Sequence, residues 1–281
     1  MKKIALITNL TRDKDLMHTK NVAKSLCDFG AQIFTNVAGI ENTTYFENED
    51  DVFKNADIAV VLGGDGTLLN TSKYAVKYNV PVLGYNIGNL GFLVELEKGE
   101  KQEFSRVFSG EYKIEERMML KATVVREGKE IFSDTSLNDV VISRGGTLKM
   151  AHLKLDVDEK QVIEYYADGI IVSTPTGSTA YSLSSGGPIV VPELDVMIIT
   201  PICPHTITSR PMVISGESKA VLSVDIYHNE DVIIVCDGQR GVELQNGDKV
   251  IVTKAECSAK LIRFGKRNFF DVLYQKLSER K

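Results

Sequence analysis

The stretch DIAVVLGGDGTLLNTSKYAVKY, residues 57 to 78, decides the fold. DIAVVLGG is a short continuous apolar run closed by glycines, the pattern of a buried strand. TLLNTSKYAVKY, which follows, predicts a helix. The turn between them poses a chemical question. Gly63, Gly64 and Gly66 let backbone amides approach phosphates, yet Asp65 sits among them. A carboxylate repels phosphate, so it must hold something else: a metal, a hydroxyl or a structural partner. On this motif alone, a tight turn with Asp65 accepting backbone amides stands as the alternative to a functional loop.

Working outward, the first ninety-odd residues continue the rhythm. KKIALITN and AQIFTN read as strands on one side, VPVLGYNIG as a strand on the other. Leu16, Ala23, Leu26 and Cys27 recur at helical spacing, and Gly30 is placed to end that helix. Strand and helix in turn predict a parallel, doubly wound sheet with ligands at the carboxyl ends of its strands. GGDG falls at such an end.

From about residue 113 the period becomes two. Leu153, Leu155 and Val157 alternate with polar residues, as do Ala220, Leu222, Val224 and Ile226. The expected architecture is therefore an α/β N-terminal domain, residues 1–100, and an all-β, two-sheet, sandwich-like C-terminal domain, residues 101–267. The charged segment EKGEKQEFSRVFSGEYK is read as the connection between them. Phe269, Val272, Leu273 and Leu277 form a helical stripe over about 268–281, expected to pack back on the first domain.

Composition narrows the function classes. A net charge of -5 and a pI near 5.5 argue against non-specific binding to nucleic acid or anionic membranes. No stretch approaches the roughly twenty apolar residues of a membrane span, and the apolar run in MKKIALITNL is too brief for a signal-peptide core. Cys27, Cys203, Cys236 and Cys257 lie far apart without a C-x-x-C pair, so reduced thiols in a cytoplasmic protein are expected rather than a zinc site or disulfides. No histidine pair has metal-ligand spacing.

A second element, ADGIIVSTPTGSTAYSLSSGGPIVV, runs from 167 to 191. A strand-like run meets Pro175 and Gly177, then a segment with seven hydroxyls: Thr176, Ser178, Thr179, Tyr181, Ser182, Ser184 and Ser185. That density beside glycine suits a polar ligand; helix caps and serine turns account for one or two of the seven. Asn138–Asp139 precedes the apolar run VVIS and Asp168 precedes IIVS, so each carboxylate sits at a strand end. There it could bind ribose hydroxyls or a base amine, or cap a turn.

In order along the chain, GGDGT, NIGNLGFL (86–93), LNDVVISR (137–144), DGIIVSTPTGSTAYSLSSGGPIV and PHTITSRPMVI (204–214) resemble the NAD kinases. The resemblance spans about residues 57 to 240. It implies transfer of the terminal phosphoryl group of ATP, or of inorganic polyphosphate, to the 2′-hydroxyl of the adenosine ribose of NAD. Asp65 would then face that hydroxyl, orient it and take its proton. Gly66 and the TAYSLS segment, Thr179, Ala180, Tyr181, Ser182, Leu183 and Ser184, would bind substrate, with Ala180 leaving room for a flat ring.

Asn138 and Asp139 would hold the nucleotide, Asp168 would lie toward nicotinamide, and Tyr166 would share its face. Lys149 and Gln239 match further nucleotide positions. Gly63, Gly64, Thr67, Asn89, Phe92, Thr176 and His205 are expected as additional contacts. Three departures stand out. Many relatives carry Glu at Asp139, several a basic residue at Tyr166, and many an arginine after GGDGT where this chain has Asn70.

The resemblance also implies magnesium delivered with ATP and no metal site from the protein alone. It implies a homo-oligomer, dimer or tetramer, with no nucleic-acid or membrane partner. Lipid and sugar kinases share GGDG-like turns but lack the STPTGSTAYSLSSGGP element. A dehydrogenase would need G-x-G-x-x-G after the opening strand. A nucleotide sensor would have no use for Asp65. The two glycine loops are expected to share one crevice between the domains.

Overall fold

The computed structural model describes residues 1–145, 151–205, 209–225, 231–239 and 241–278. Lys149, Ile226 and residues 206–208 of the PHTITSRP motif lie outside them. The chain forms two compact units, Met1–Glu116 with Ala259–Lys281, and Arg117–Ser258. These boundaries fall at 116/117 and 258/259, against the 100/101 and 267/268 expected from the sequence.

The first unit opens with β1 (Lys3–Thr8), α1 (Met17–Asp28), β2 (Gln32–Thr35) and β3 (Thr43–Tyr45). Then come α2 (Glu49–Lys54), β4 (Ile58–Gly63), α3 (Asp65–Lys77), β5 (Val82–Asn86), β6 (Leu96–Glu97) and α4 (Phe104–Ser109). Strands β5, β4, β1, β2 and β3 lie side by side in that order, all parallel, with Ala5 beside Ala59 and Val60 beside Leu83. The chain leaves β1 toward β2 on one side and leaves β4 toward β5 on the other. The strand order therefore reverses between β1 and β4, the switch point at which open α/β sheets bind ligands.

Every residue of β4 is buried, as its continuous apolar run requires of a central parallel strand. Helix α1 buries Val22, Ala23 and Leu26, and Gly30 follows it at φ +82°, its amide donating to the Cys27 carbonyl. The segment read as a connection contains α4. Phe104 and Val107 sit three residues apart on one helical face and are buried in the core with Leu6, Leu62 and Ile262.

The second unit begins within β7 (Lys113–Arg126), followed by β8 (Lys129–Ser136), β9 (Asp139–Arg144), β10 (Ala151–Val157), β11 (Lys160–Ala167) and β12 (Gly169–Ser173). After the short helix α5 (Tyr181–Ser184) come β13 (Val196–Ile202), β14 (Met212–Ser215), β15 (Ala220–Asp225), β16 (Val232–Cys236) and β17 (Val242–Leu244). β18 (Lys249–Arg263) belongs to this unit up to Ser258 and to the first from Ala259, where Leu261 pairs in parallel with Val82. The C-terminal helix is α6 (Phe269–Ser278).

Strands β14, β13, β12, β9, β16 and β17 form one antiparallel sheet. Strands β11, β10, β15 and β18 pair antiparallel as a second layer, and β7 forms a hairpin with β8. One core joins the layers: Leu153, Leu155, Leu222 and Val250 from the second layer pack with Ile142, Ile170, Val172 and Ile199 from the first. Alternate residues point inward, so the period of two becomes a sandwich. Of the C-terminal stripe, Phe269 lies 5.6 Å from the Phe92 ring and Val272 is buried, whereas Leu277 is exposed.

Candidate active site

In the first unit, Gly63 ends β4, Gly64 is the extended N-cap of α3, and Asp65 is its first helical residue. Asp65 is turned toward the loop after β5. Its Oδ2 accepts from the Phe92 amide at 2.8 Å and its Oδ1 from the Leu93 amide at 3.0 Å. Gly91 lies directly beneath: a β-carbon there would stand 2.0 Å from Asp65 Oδ1. The backbone-amide alternative read from GGDG is thus realised. It leaves chemistry open, because each carboxylate oxygen has a second lone-pair site for a hydroxyl.

The loop that holds Asp65 is itself held. Arg263, from the end of β18, donates through Nη2 to the Phe92 carbonyl at 3.1 Å and through Nη1 to the Leu93 carbonyl at 3.1 Å. Its charge is met by Glu115 at 3.2 Å and by buried Glu95 at 3.4 Å. Glu95 also accepts the Phe264 amide at 2.7 Å. Thr67 accepts from Asn9 Nδ2 at 2.9 Å, tying α3 to the loop after β1. Asn89 and Gly66 are exposed.

In the second unit, Asn138 and Asp139 enter β9 around a carboxylate from elsewhere in the chain. Asp237 accepts three backbone amides, from Leu137 at 2.7 Å, Asn138 at 2.8 Å and Asp139 at 3.1 Å. Asp139 is only 6% exposed. Burial, reinforced by the neighbouring Asp237 charge, pushes its carboxyl up to about 7. Burial raises Asp237 to about 6 against the opposing pull of its three amides. Gln239 follows in the same turn, its amide donating to the Cys236 carbonyl.

The hydroxyl-rich segment packs on that loop. Thr174 Oγ1 donates to the Leu137 carbonyl at 2.6 Å, and a β-carbon at Gly177 would stand 2.1 Å from the Asn138 carbonyl oxygen. Thr176 accepts from the buried Arg117 guanidinium at 3.2 Å. Ser178 bonds both the amide and the carbonyl of Val190, Thr179 donates to the Thr176 carbonyl, and Ser182 pairs with Thr200. Internal bonding therefore accounts for four of the seven hydroxyls, against the one or two expected. Tyr181, at 46% exposure, and Ser184 face outward; Ala180 and Leu183 are partly exposed between them.

Tyr166, Asp168 and His205 form a separate group. Asp168 makes a two-point ion pair with Arg144, at 2.9 and 3.2 Å. Exposed Tyr166 stacks on the buried His152 ring, centroids 4.4 Å apart, and its carbonyl accepts the His205 amide at 2.8 Å. In the β9–β12 register Asp139 pairs with Ser173 and Ser143 with Gly169. Asp168 lies one residue beyond Gly169, its carbonyl accepting the Arg144 amide, and so about 17 Å along the strands from Asp139.

Arg263, Asp237, Arg117 and Arg144 are not among the residues expected from the sequence. Asp237 had a local signal, its place in CDGQ beside Gln239. Arg263 had none, because its partners lie far back in the chain. Among the described residues no group of three His, Cys, Asp or Glu side chains is placed to hold a metal ion, and no helix is long and apolar enough to cross a membrane.

Residues 4–112 match the model of the ATP-NAD kinase N-terminal domain, and residues 137–264 that of the ATP-NAD kinase C-terminal domain. An NAD kinase of Caldanaerobacter subterraneus subsp. tengcongensis is 42% identical over 284 residues, covering 100% of both chains. Among solved structures, the yeast NADH kinase complexed with NADH superposes with a TM-score of 0.87 at 24% identity, covering 99% of this chain and 88% of that one. An NAD kinase from Archaeoglobus fulgidus in complex with ATP gives 0.76 at 25% identity, covering 98% of each.

Proposed function

The chain belongs to the ATP-NAD kinase family, and from that premise we propose that it transfers the terminal phosphoryl group of ATP to the 2′-hydroxyl of the adenosine ribose of NAD, giving NADP and ADP. The observation that carries the reading onto this chain's own residues is Asp65, fixed at a strand end by two amides with acceptor capacity to spare. Phosphoryl transfer needs positioning and charge neutralisation above all. Asp65 orients the ribose hydroxyl and accepts its proton as the oxygen attacks phosphorus in line with the departing ADP. General-base assistance of this kind contributes about 10²–10⁴-fold.

Tyr181 and Ser184 are proposed to contact NAD, and Asn138 and Asp139 its adenosine. With burial pushing its carboxyl up to about 7, Asp139 can offer a proton or accept one near neutral pH, which suits a partner that both donates and accepts. Asp168 and Tyr166 are proposed for the nicotinamide side. The donor set favours magnesium held mainly by phosphate oxygens and water, and the ion would supply charge neutralisation on the phosphates. A homo-oligomer is proposed from the apolar side of α6, where Phe270, Tyr274 and Leu277 are exposed; light scattering tests it.

Incubation with ATP, magnesium and NAD, with NADP read by a coupled dehydrogenase, tests the activity. Asp65→Asn is expected to lower turnover at least about a hundredfold with NAD affinity changed only a few fold. Loss of binding with turnover intact would overturn the role given to Asp65.

A further inference from the structure

We propose that Arg12 binds the phosphate chain of the phosphoryl donor. The inference rests on the kinase reading and adds to it a residue that no motif marks. Arg12 lies in the loop after β1, and GGDG lies after β4, so the two flank the point where strand order reverses.

The loop fixes the backbone that carries the exposed Arg12 side chain. Asn9 Oδ1 accepts from the Thr11 amide and hydroxyl and from the Arg12 amide, while its Nδ2 donates to Thr67 of α3. One residue beyond Arg12, buried Asp13 accepts the His18 and Thr19 amides and closes the start of α1.

Between these anchors the Arg12 side chain runs over two glycines from two other strand ends. A β-carbon at Gly64 would stand 3.2 Å from Arg12 Nη1, and one at Gly88 2.2 Å. Gly88 thus leaves the space the guanidinium occupies, and Gly64 places it against the residue preceding Asp65. Among the described residues no carboxylate pairs with this guanidinium. The two nearest in sequence or loop are committed elsewhere, Asp13 to α1 and Asp65 to the Phe92 and Leu93 amides.

A planar cation with five donors, seated without a counter-charge beside the proposed phosphoryl-transfer aspartate, matches phosphate oxygens in charge and geometry. It also supplies from the β1 loop a charge that Asn70 does not provide on α3.

Arg12→Ala and Arg12→Lys, in the full chain, are tested for KM of ATP and of NAD and for calorimetric binding of the magnesium complex of an imidotriphosphate ATP analogue. Arg12→Ala is expected to raise the KM for ATP and weaken the analogue at least tenfold, with the KM for NAD within twofold; Arg12→Lys recovers part of the loss. Gly88→Ala, which pushes the guanidinium from its seat, is expected to show the same donor-selective loss and serves if Arg12→Ala folds poorly. Analogue affinity within twofold of wild type in stably folded Arg12→Ala would overturn the proposal. Failure of the wild type to phosphorylate NAD while Arg12→Ala still loses the analogue would overturn the kinase reading and leave Arg12 as a phosphate ligand.

Discussion

Gly91→Ala tests whether the catalytic carboxylate is placed by the loop rather than by its own helix. The new methyl would meet Asp65 Oδ1 at 2.0 Å, Cγ at 2.4 Å and Oδ2 at 2.6 Å. Ordinary contact begins near 3.4 Å, so something has to retreat by about 1 Å or more. The loop resists, because Arg263 grips the Phe92 and Leu93 carbonyls on its other side. The carboxylate is therefore expected to leave, stretching two amide bonds of 2.8 and 3.0 Å.

Hydrogen bonds to a charged group are worth about 1.5–3 kcal/mol each when buried. Asp65 is partly exposed and water replaces much of this, so a stability loss of about 1–2 kcal/mol is expected. A misplacement of about 1 Å costs turnover about a hundredfold. The assay is kcat by coupled dehydrogenase, with the melting temperature followed in parallel. On an Asp65→Asn background Gly91→Ala should add little, since the displaced group has already lost its function. Turnover within threefold of wild type for Gly91→Ala would refute the placement argument.

Arg263→Met should destabilise the protein by about 3–5 kcal/mol, because Glu95 is left buried without its cation; urea unfolding measures this, and a midpoint unchanged from wild type counts against it. Stability should fall as pH rises from about 4 to 7. Asp139 and Asp237 have folded-state values raised above their unfolded ones, to about 7 and about 6, so the native state binds more protons across that window and loses the advantage on ionising. Asp139→Asn should flatten that part of the pH profile of the urea midpoint; an unaltered slope shows that other groups carry it. Tyr181→Ala should raise the dissociation constant for NAD about tenfold or more while kcat at saturating NAD changes little, and the reverse pattern would remove Tyr181 from the binding site.

The amino-acid order by itself determined what is local. Continuous apolar runs and 3.6-residue spacing announced the alternating elements from β1 to β5, and the switch to a period of two announced the sandwich, because each pattern records which side of an element faces the core. The motifs likewise marked Asp65, Asn138, Asp139 and the TAYSLS segment. Weak local signals were lost: α2 and β3 are short and partly exposed, and α4 hid inside a charged stretch whose four apolar residues pack on the core.

Tertiary structure alone decided what each marked residue touches. Asp65 is held by amides 27 and 28 positions away and that loop by an arginine about 170 further on, while Asp237 reaches back about 100 positions to shape the Asn138–Asp139 turn. It also decided which hydroxyls are spent internally, Ser178 on Val190 and Ser182 on Thr200, and which, like Tyr181, remain exposed. A periodic pattern fixes the face a side chain takes, but a hydrogen-bond partner depends on which distant strand folding sets beside it.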